Sequence, residues 1–156
     1  MTVEDLEAFG LEPMDDEEIR SFLVAKSVGV LGLPGEGGPV LRPMSYGYDG
    51  SALYLRFVLG TDSEKRPQSA ASAASFLVYS AETAFNWRSV VVEGTLSVVP
   101  ESEQDRVAQS VDIAWRPDLL ERAAAEIETD LYVLDITDRA GVKHPGLPPG
   151  LADPVD

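Results

Sequence analysis

The side chains able to do chemistry in this chain are few, and they fall into three short segments. Thr61, Ser63, Lys65 and Arg66 place two hydroxyls and two cations within six residues, and Pro67 follows where a helix can begin. Hydroxyls, an ammonium or guanidinium group and free backbone N–H groups are what a phosphate monoester needs. A solvated loop accounts for the same residues equally well. Arg42 stands beside Pro43 in L-R-P-M-S-Y-G-Y. A proline inside a strand cannot donate to the ladder, so this strand lies at an edge or turns that position toward a ligand. Read alone, Arg42 is more simply a surface arginine facing one of the 27 acidic residues. Trp87 and Ser89 alternate in N-W-R-S-V-V-V-E-G-T, which puts an aromatic plane and a hydroxyl on one face of a strand. Core packing is the simpler use of Trp87.

What is missing narrows the chemistry further. There is no cysteine, which removes disulfides, thiolate metal sites and cysteine nucleophiles. The single histidine, His144, lies in a Pro/Gly-rich C-terminal stretch, so no multi-histidine metal site can form. A Ser-His-Asp triad would have to recruit that same residue. Neither a Walker A motif nor G-x-G-x-x-G is present, and G-L-P-G-E-G-G lacks a following lysine or helix, so it reads as a hairpin loop. Twelve basic residues against 27 acidic ones give a net charge of −15, a field that repels phosphate backbones and anionic lipid. Nucleic-acid and membrane partners are therefore not expected, including single-stranded nucleic acid on a barrel face. The acids are scattered and lysine is scarce, which fits a surface adapted to high salt (halophilic) better than one built for a single basic partner. No apolar run is long enough to cross a membrane, and the acidic N-terminus does not read as a secretory signal, so the expected location is the cytoplasm.

The 156 residues suit one domain, and these elements must position the three segments. Residues 1–14 read as an N-terminal arm. Asp15 or Asp16 caps an amphipathic helix with Ile19, Phe22 and Leu23 on its apolar face and Lys26 in its last turn. The period then shortens. V-G-V-L-G-L, V-L-R-P-M-S-Y-G-Y and A-L-Y-L-R-F-V-L read as three strands of a meander, the last two joined at Asp49-Gly50. A loop follows, then a short helix through the alanines after Pro67, then a strand S-F-L-V-Y-S. F-N-W-R-S-V-V-V-E-G-T-L-S-V-V-P reads as a long strand with a bend at Gly94. Helices are expected from Glu101 and from Pro117, and a final strand over T-D-L-Y-V-L-D-I-T-D-R-A-G-V. The fold class is mainly β, a six-stranded antiparallel barrel with short helices at its rim, spanning residues 15–143. Residues 144–156 read as a disordered Pro/Gly-rich tail.

Taken in order, R-P-M-S-Y-G-Y-D-G, then L-Y-L-R-F with G-T-D-S-E-K close behind, then W-R-S-V-V-V-E-G-T, the chain resembles the FMN-binding split β-barrel family, pyridoxamine 5′-phosphate oxidase-like. The resemblance covers residues 15–100 and, loosely, the last strand. It implies a split barrel that binds FMN, with Arg42, Pro43, Met44 and Ser45 along the flavin ring and ribityl chain. It also implies Lys65, with Arg66, at the phosphate, Trp87 and Ser89 nearby, and contacts from Tyr54, Arg56 and Phe57 on the intervening strand. By the same resemblance the chain is a homodimer with two sites at its interface, and a flavin-dependent oxidoreductase acting with a small-molecule electron donor or acceptor. The deazaflavin F420 on the same fold and a non-catalytic flavin-binding module are the alternatives. Two positions depart from the family's oxidases. Arg56 stands where many relatives have histidine, and Arg139 and His144 are too far apart to form the Arg-x-His pair that holds pyridoxal phosphate.

Overall fold

The computed structural model describes residues 10–59, 71–110 and 128–146. In chain order the elements are β1 (Glu12–Pro13), α1 (Asp16–Ala25), β2 (Val28–Leu33), β3 (Val40–Tyr48), β4 (Ala52–Leu59), β5 (Ala71–Thr83), β6 (Asn86–Val98), α2 (Glu101–Ser110) and β7 (Glu128–Pro145). The order β7-β4-β3-β2-β5-β6 closes on itself through a β6–β7 ladder. The result is the expected six-stranded barrel, antiparallel at every pairing.

Alternation along each strand fills the interior. Leu31, Leu53, Leu55, Phe76, Val78, Val90, Val92 and Leu134 are almost fully buried. Tyr46 packs edge-on against Phe76 with ring centroids 5.4 Å apart. Asp15 caps α1 by accepting from the Glu18 amide at 2.8 Å, and Asp16, Glu17 and Glu18 fill the first turn. Ile19, Phe22 and Leu23 then enter the barrel core. Lys26 falls one position beyond the expected last turn: it is the C-cap, its N–H donating to the Phe22 carbonyl at 3.2 Å. A buried bond from the Tyr46 hydroxyl to the Leu23 carbonyl (2.6 Å) ties α1 to β3. Lys143 and Arg139 of β7 hold its acidic first turn, at 2.6 Å from Glu18 and 3.8 Å from Asp16.

Two tight places shape the wall. A Cβ on Gly94 would stand 1.9 Å from the Asp135 carbonyl oxygen. The register slips there, pairing Glu93 with Asp138 but Gly94 with Ile136, so Thr137 is the extra residue and β7 carries the bulge. In the β3–β4 hairpin, Asp49 accepts from the Ser51 and Ala52 amides at 2.8 Å each, and Gly50 takes φ +100°.

Several expectations change. Ala71–Ser75 is the start of β5 rather than part of a helix begun at Pro67. Its small residues pair with Thr95–Ser97 and Glu93–Gly94 of β6, and Ala74 is buried, so ladder and core outweigh alanine's helix propensity. The arm is docked at its end: Glu12 and Pro13 pair with Lys143 and Val142, and Met14 is buried in the core. β7 continues through His144 and Pro145. The helix expected from Glu101 forms as α2, and Val99, Val107 and Leu131 cluster beneath it with Tyr54 and Val133, on the outer surface of the barrel. The helix expected from Pro117 lies outside the described residues.

Candidate functional site

The barrel does not close evenly. The β3–β4 ladder covers only Tyr46–Tyr48 against Leu55–Leu53. Val40–Ser45 pair with β2 alone, while Arg56–Leu59 pair with β7 alone. A gap therefore separates the first half of β3 from the second half of β4. The Tyr46 N–H donates to Ser27 on the β2 side (3.0 Å). Alternation then turns the nitrogens of Leu41, Pro43 and Ser45 toward the gap. The proline sits where a missing donor costs no ladder bond, as its presence in a strand had suggested. The N–H groups of Leu41 and Ser45 face the same opening.

Side-chain parity divides the sequence candidates. Met44 points inward and packs on the core, and Arg42, two residues away on the same face, sits level with Leu31 and is partly buried. Among the described residues no acid pairs with Arg42. Pro43 and Ser45 point outward. Arg56, partly buried, flanks the gap from β4. Phe57 follows opposite Asp130, and its side chain lies outside the described residues. So do Lys65 and Arg66, in the segment that joins Leu59 to Ala71. Tyr54 sits beneath α2, and its hydroxyl donates to Asp49 at 3.0 Å. Burial, that bond and the Asp49 charge push its phenol pKa upward. Burial also pushes Asp49 upward, but hydrogen bonds from Ser51, Ala52 and Tyr54 outweigh it and leave the carboxyl below its ordinary value.

Trp87 and Ser89 share the outer face of β6, because Val90 and Val92 take the inner one. β6 is three strands from β3 in either direction around the ring. Those two side chains therefore sit on the wall opposite Pro43 and Ser45 and face away from them. One chain does not bring all the candidates together.

Two features escaped the sequence reading. The His144 ring packs against Phe85 and Trp87, with centroids 5.7 and 6.4 Å away, and its Nδ1 is buried without a hydrogen-bond partner. Nothing in the Pro/Gly-rich context of His144 signalled a strand. The second is a groove of about 710 Å³ between α1 and the β5–β6 hairpin, with Phe22, Lys26, Trp87 and Arg88 among its lining residues. Its walls lie some sixty residues apart in sequence, so no motif links them. Among the described residues no group of histidine, aspartate and glutamate side chains could hold a metal ion, and no helix is long and apolar enough to cross a membrane.

A closed six-stranded antiparallel barrel, opened along one seam and capped by a short N-terminal helix, defines the split-barrel class. Residues 15–143 match the pyridoxamine 5′-phosphate oxidase family model, and the chain belongs to that family. Solved structures of similar fold include a FAD-binding protein from Mesorhizobium loti, 20% identical with TM-score 0.64, the match covering 85% of this chain and 96% of that one. Another is a FAD-binding protein from Mycobacterium smegmatis, 14% identical with TM-score 0.66, covering 85% and 98%. A third is a flavocytochrome from Azotobacter vinelandii, 18% identical with TM-score 0.57, covering 91% and 73%. A search of curated proteins finds no match.

Proposed function

We propose that this chain binds FMN in the gap between β3 and β4 and works as a flavin-dependent oxidoreductase, a cytoplasmic homodimer exchanging electrons with a small molecule. The observation that carries this reading is the seam itself. Its β3 edge offers the Leu41 and Ser45 N–H groups beside Pro43, and Arg56 flanks it from β4. Flavin carbonyls and ring nitrogens are acceptors for such donors, and the flavin supplies the redox chemistry while the protein orients and shields it. Lys65 and Arg66 follow β4 in sequence and are the cations assigned to the phosphate in a strongly anionic chain. No side chain is assigned as a catalytic acid or base, since hydride transfer to a flavin requires none. The FAD-binding character of two structural relatives supports a flavin of some kind.

The opposite-wall placement of Trp87 and Ser89 supports the dimer. These residues reach a ring in the gap only if a second copy supplies them. The outer face of β2, β3 and β5 is suited to receive it: Val28, Leu41 and Tyr79 are 54%, 69% and 57% exposed there. The test is the visible spectrum of the purified protein after incubation with excess flavin. FMN absorbs near ~450 nm and F420 near ~420 nm, a property of the chromophores, and the mass of the extracted cofactor separates FMN from FAD. A preparation that stays colourless refutes the reading. Bound FMN that neither NADH, NADPH nor reduced F420 reduces makes the protein a flavin-binding module instead. Lys65→Ala should weaken FMN by ~1.5–3 kcal/mol, the range for a hydrogen bond to a charged group.

A further inference from the structure

We propose that the end of β5, from Tyr79 to Ala81, is an open sheet edge that takes up an extended basic peptide as an added strand, its cationic side chains reaching the groove between that edge and α1. β5 has a neighbour on each side over only part of its length. β2 pairs with Ser75, Phe76 and Leu77 alone, whereas β6 follows β5 on to Thr83. Upstream of Val28 the chain leaves the sheet for α1, so among the described residues no strand lies beside β5 on that side beyond Leu77.

Alternation identifies the backbone groups left over. A Cβ on Gly29 would stand 2.5 Å from the Leu77 carbonyl oxygen, and one on Gly32 3.7 Å from that of Ser75, so both carbonyls point toward β2. Residues two apart on a strand direct their N–H and C=O to the same side. Tyr79 and Ala81 therefore turn theirs to the vacated side, where no ladder partner stands among the described residues. The bulge between Ala81 and Thr83 ends the run. An edge of this kind is a template for another strand, and β5 carries there none of the lysines or prolines that commonly block one.

Charge selects the occupant. Glu82 lines the groove of about 710 Å³ from β5, and Asp15, Glu17 and Glu18 line it from the start of α1, against the cations Lys26 and Arg88. Hydrogen bonds to Asp15 and Glu82 come from neutral N–H groups and leave both charges in place. Only Glu18 is offset from outside the groove, by Lys143 at 2.6 Å. Acids thus remain in excess, within a chain of net charge −15. A strand laid on the edge turns every second side chain to the groove, so lysine or arginine at alternate positions meets these carboxylates. A second copy offering the same edge would set acid against acid, which is destabilising between facing strands. The seam between β3 and β4 takes no part, and this inference stands apart from the flavin reading.

A capped heptapeptide alternating lysine and valine, titrated into the full-length protein at fixed ionic strength, tests the edge by calorimetry and by amide hydrogen exchange. It should bind and slow exchange at the Tyr79 and Ala81 amides. The same peptide N-methylated at every backbone nitrogen should bind about tenfold or more weaker, and a version with glutamate for lysine should not bind. Glu82→Lys should weaken the lysine peptide about fivefold or more, and Glu36→Lys, an equal change of charge in the β2–β3 loop, should weaken it far less. Ala81→Pro removes an outward N–H and no ladder bond, so it should weaken binding with far-ultraviolet circular dichroism unchanged. Should proline there prevent folding, the N-methylated peptide decides the same point. Binding that survives N-methylation, or that Glu36→Lys weakens as much as Glu82→Lys, would be attraction to net charge alone and would overturn the proposal. Slowed exchange at the two amides that grows with protein concentration, without peptide, would give the edge to a second copy. Absence of binding, or unchanged exchange at both amides, would overturn it outright.

Discussion

The proposed two-chain flavin site can be tested by weakening the proposed dimer while keeping the backbone donors of the gap. Leu41 is the most exposed of the apolar residues on the outer face of β2, β3 and β5, at 69%. Full burial of a leucine side chain is worth ~1.5–3 kcal/mol, so covering the exposed two-thirds contributes about 1–2 kcal/mol per copy. A two-fold interface uses each residue twice. Leu41→Asp removes both contributions and leaves two desolvated carboxylates, each adding at least ~1 kcal/mol. The total is at least about 4 kcal/mol, roughly a thousandfold in the dimer dissociation constant. The Leu41 backbone N–H that faces the gap is retained. Light scattering after gel filtration should show a monomer at micromolar concentration, and fluorescence titration should show FMN affinity lost with it, recovering as protein concentration rises. A Leu41→Asp monomer that binds FMN as tightly as the parent would refute the argument that Trp87 and Ser89 come from a second copy. An unchanged dimer would move the interface off this face.

Three further variants test the wall, its cap and the β3–β4 turn. Tyr46→Phe leaves the Leu23 carbonyl without its buried donor and should cost about 1–3 kcal/mol, lowering Tm by ~2–4 °C for each of them in a domain of this size. Burial also raises the Tyr46 phenol pKa above its ordinary value of 10.0, so the folded state keeps a proton that the unfolded state gives up. Stability should then fall as pH climbs past ~10, and fall less in Tyr46→Phe, as urea midpoints across that range will show. Gly94→Ala drives a methyl into the Asp135 carbonyl and should cost ~1–3 kcal/mol or more, seen as a lower urea midpoint, and Thr95→Ala beside it should not. Asp49 has its carboxyl held below the ordinary value, so its contribution is present above the unfolded pKa and is lost as pH falls through the folded one. Asp49→Asn should flatten that acid limb while retaining the turn, and an unaltered limb would assign the acid sensitivity elsewhere.

Much of the barrel was legible because its strands alternate strictly. Leu53 and Leu55 against Tyr54 and Arg56 fix which face of β4 is buried without reference to any partner. Pro43 went further and announced an open edge from one missing N–H. Local signals failed where tertiary pairing overrode them. The alanines and serines of Ala71–Ser75 have helix propensity, and only their partners on β6 make them a strand. His144 looked like part of a tail because prolines and glycines follow it, yet its opposite number in the ladder is Trp87.

The site was legible as a set of residue types but not as a place, and the reason is geometrical. Consecutive residues of a strand point to opposite faces, so a motif such as R-P-M-S cannot deliver all its side chains to one ligand. Arg42 and Met44 go inward, while Pro43 and Ser45 go outward and turn their nitrogens to the gap. Which strand lies across the barrel depends on the cyclic order β7-β4-β3-β2-β5-β6, and no local pattern encodes that. Once the order is known, the distance between the two motif strands is as large as a six-stranded ring allows. A ligand contacting both outer faces must bridge two copies of the chain, so cofactor affinity and dimer affinity become linked quantities. Whatever binds a two-chain site stabilises the dimer by mass action, so on the proposed reading FMN should tighten dimerisation by the same factor by which dimerisation tightens FMN.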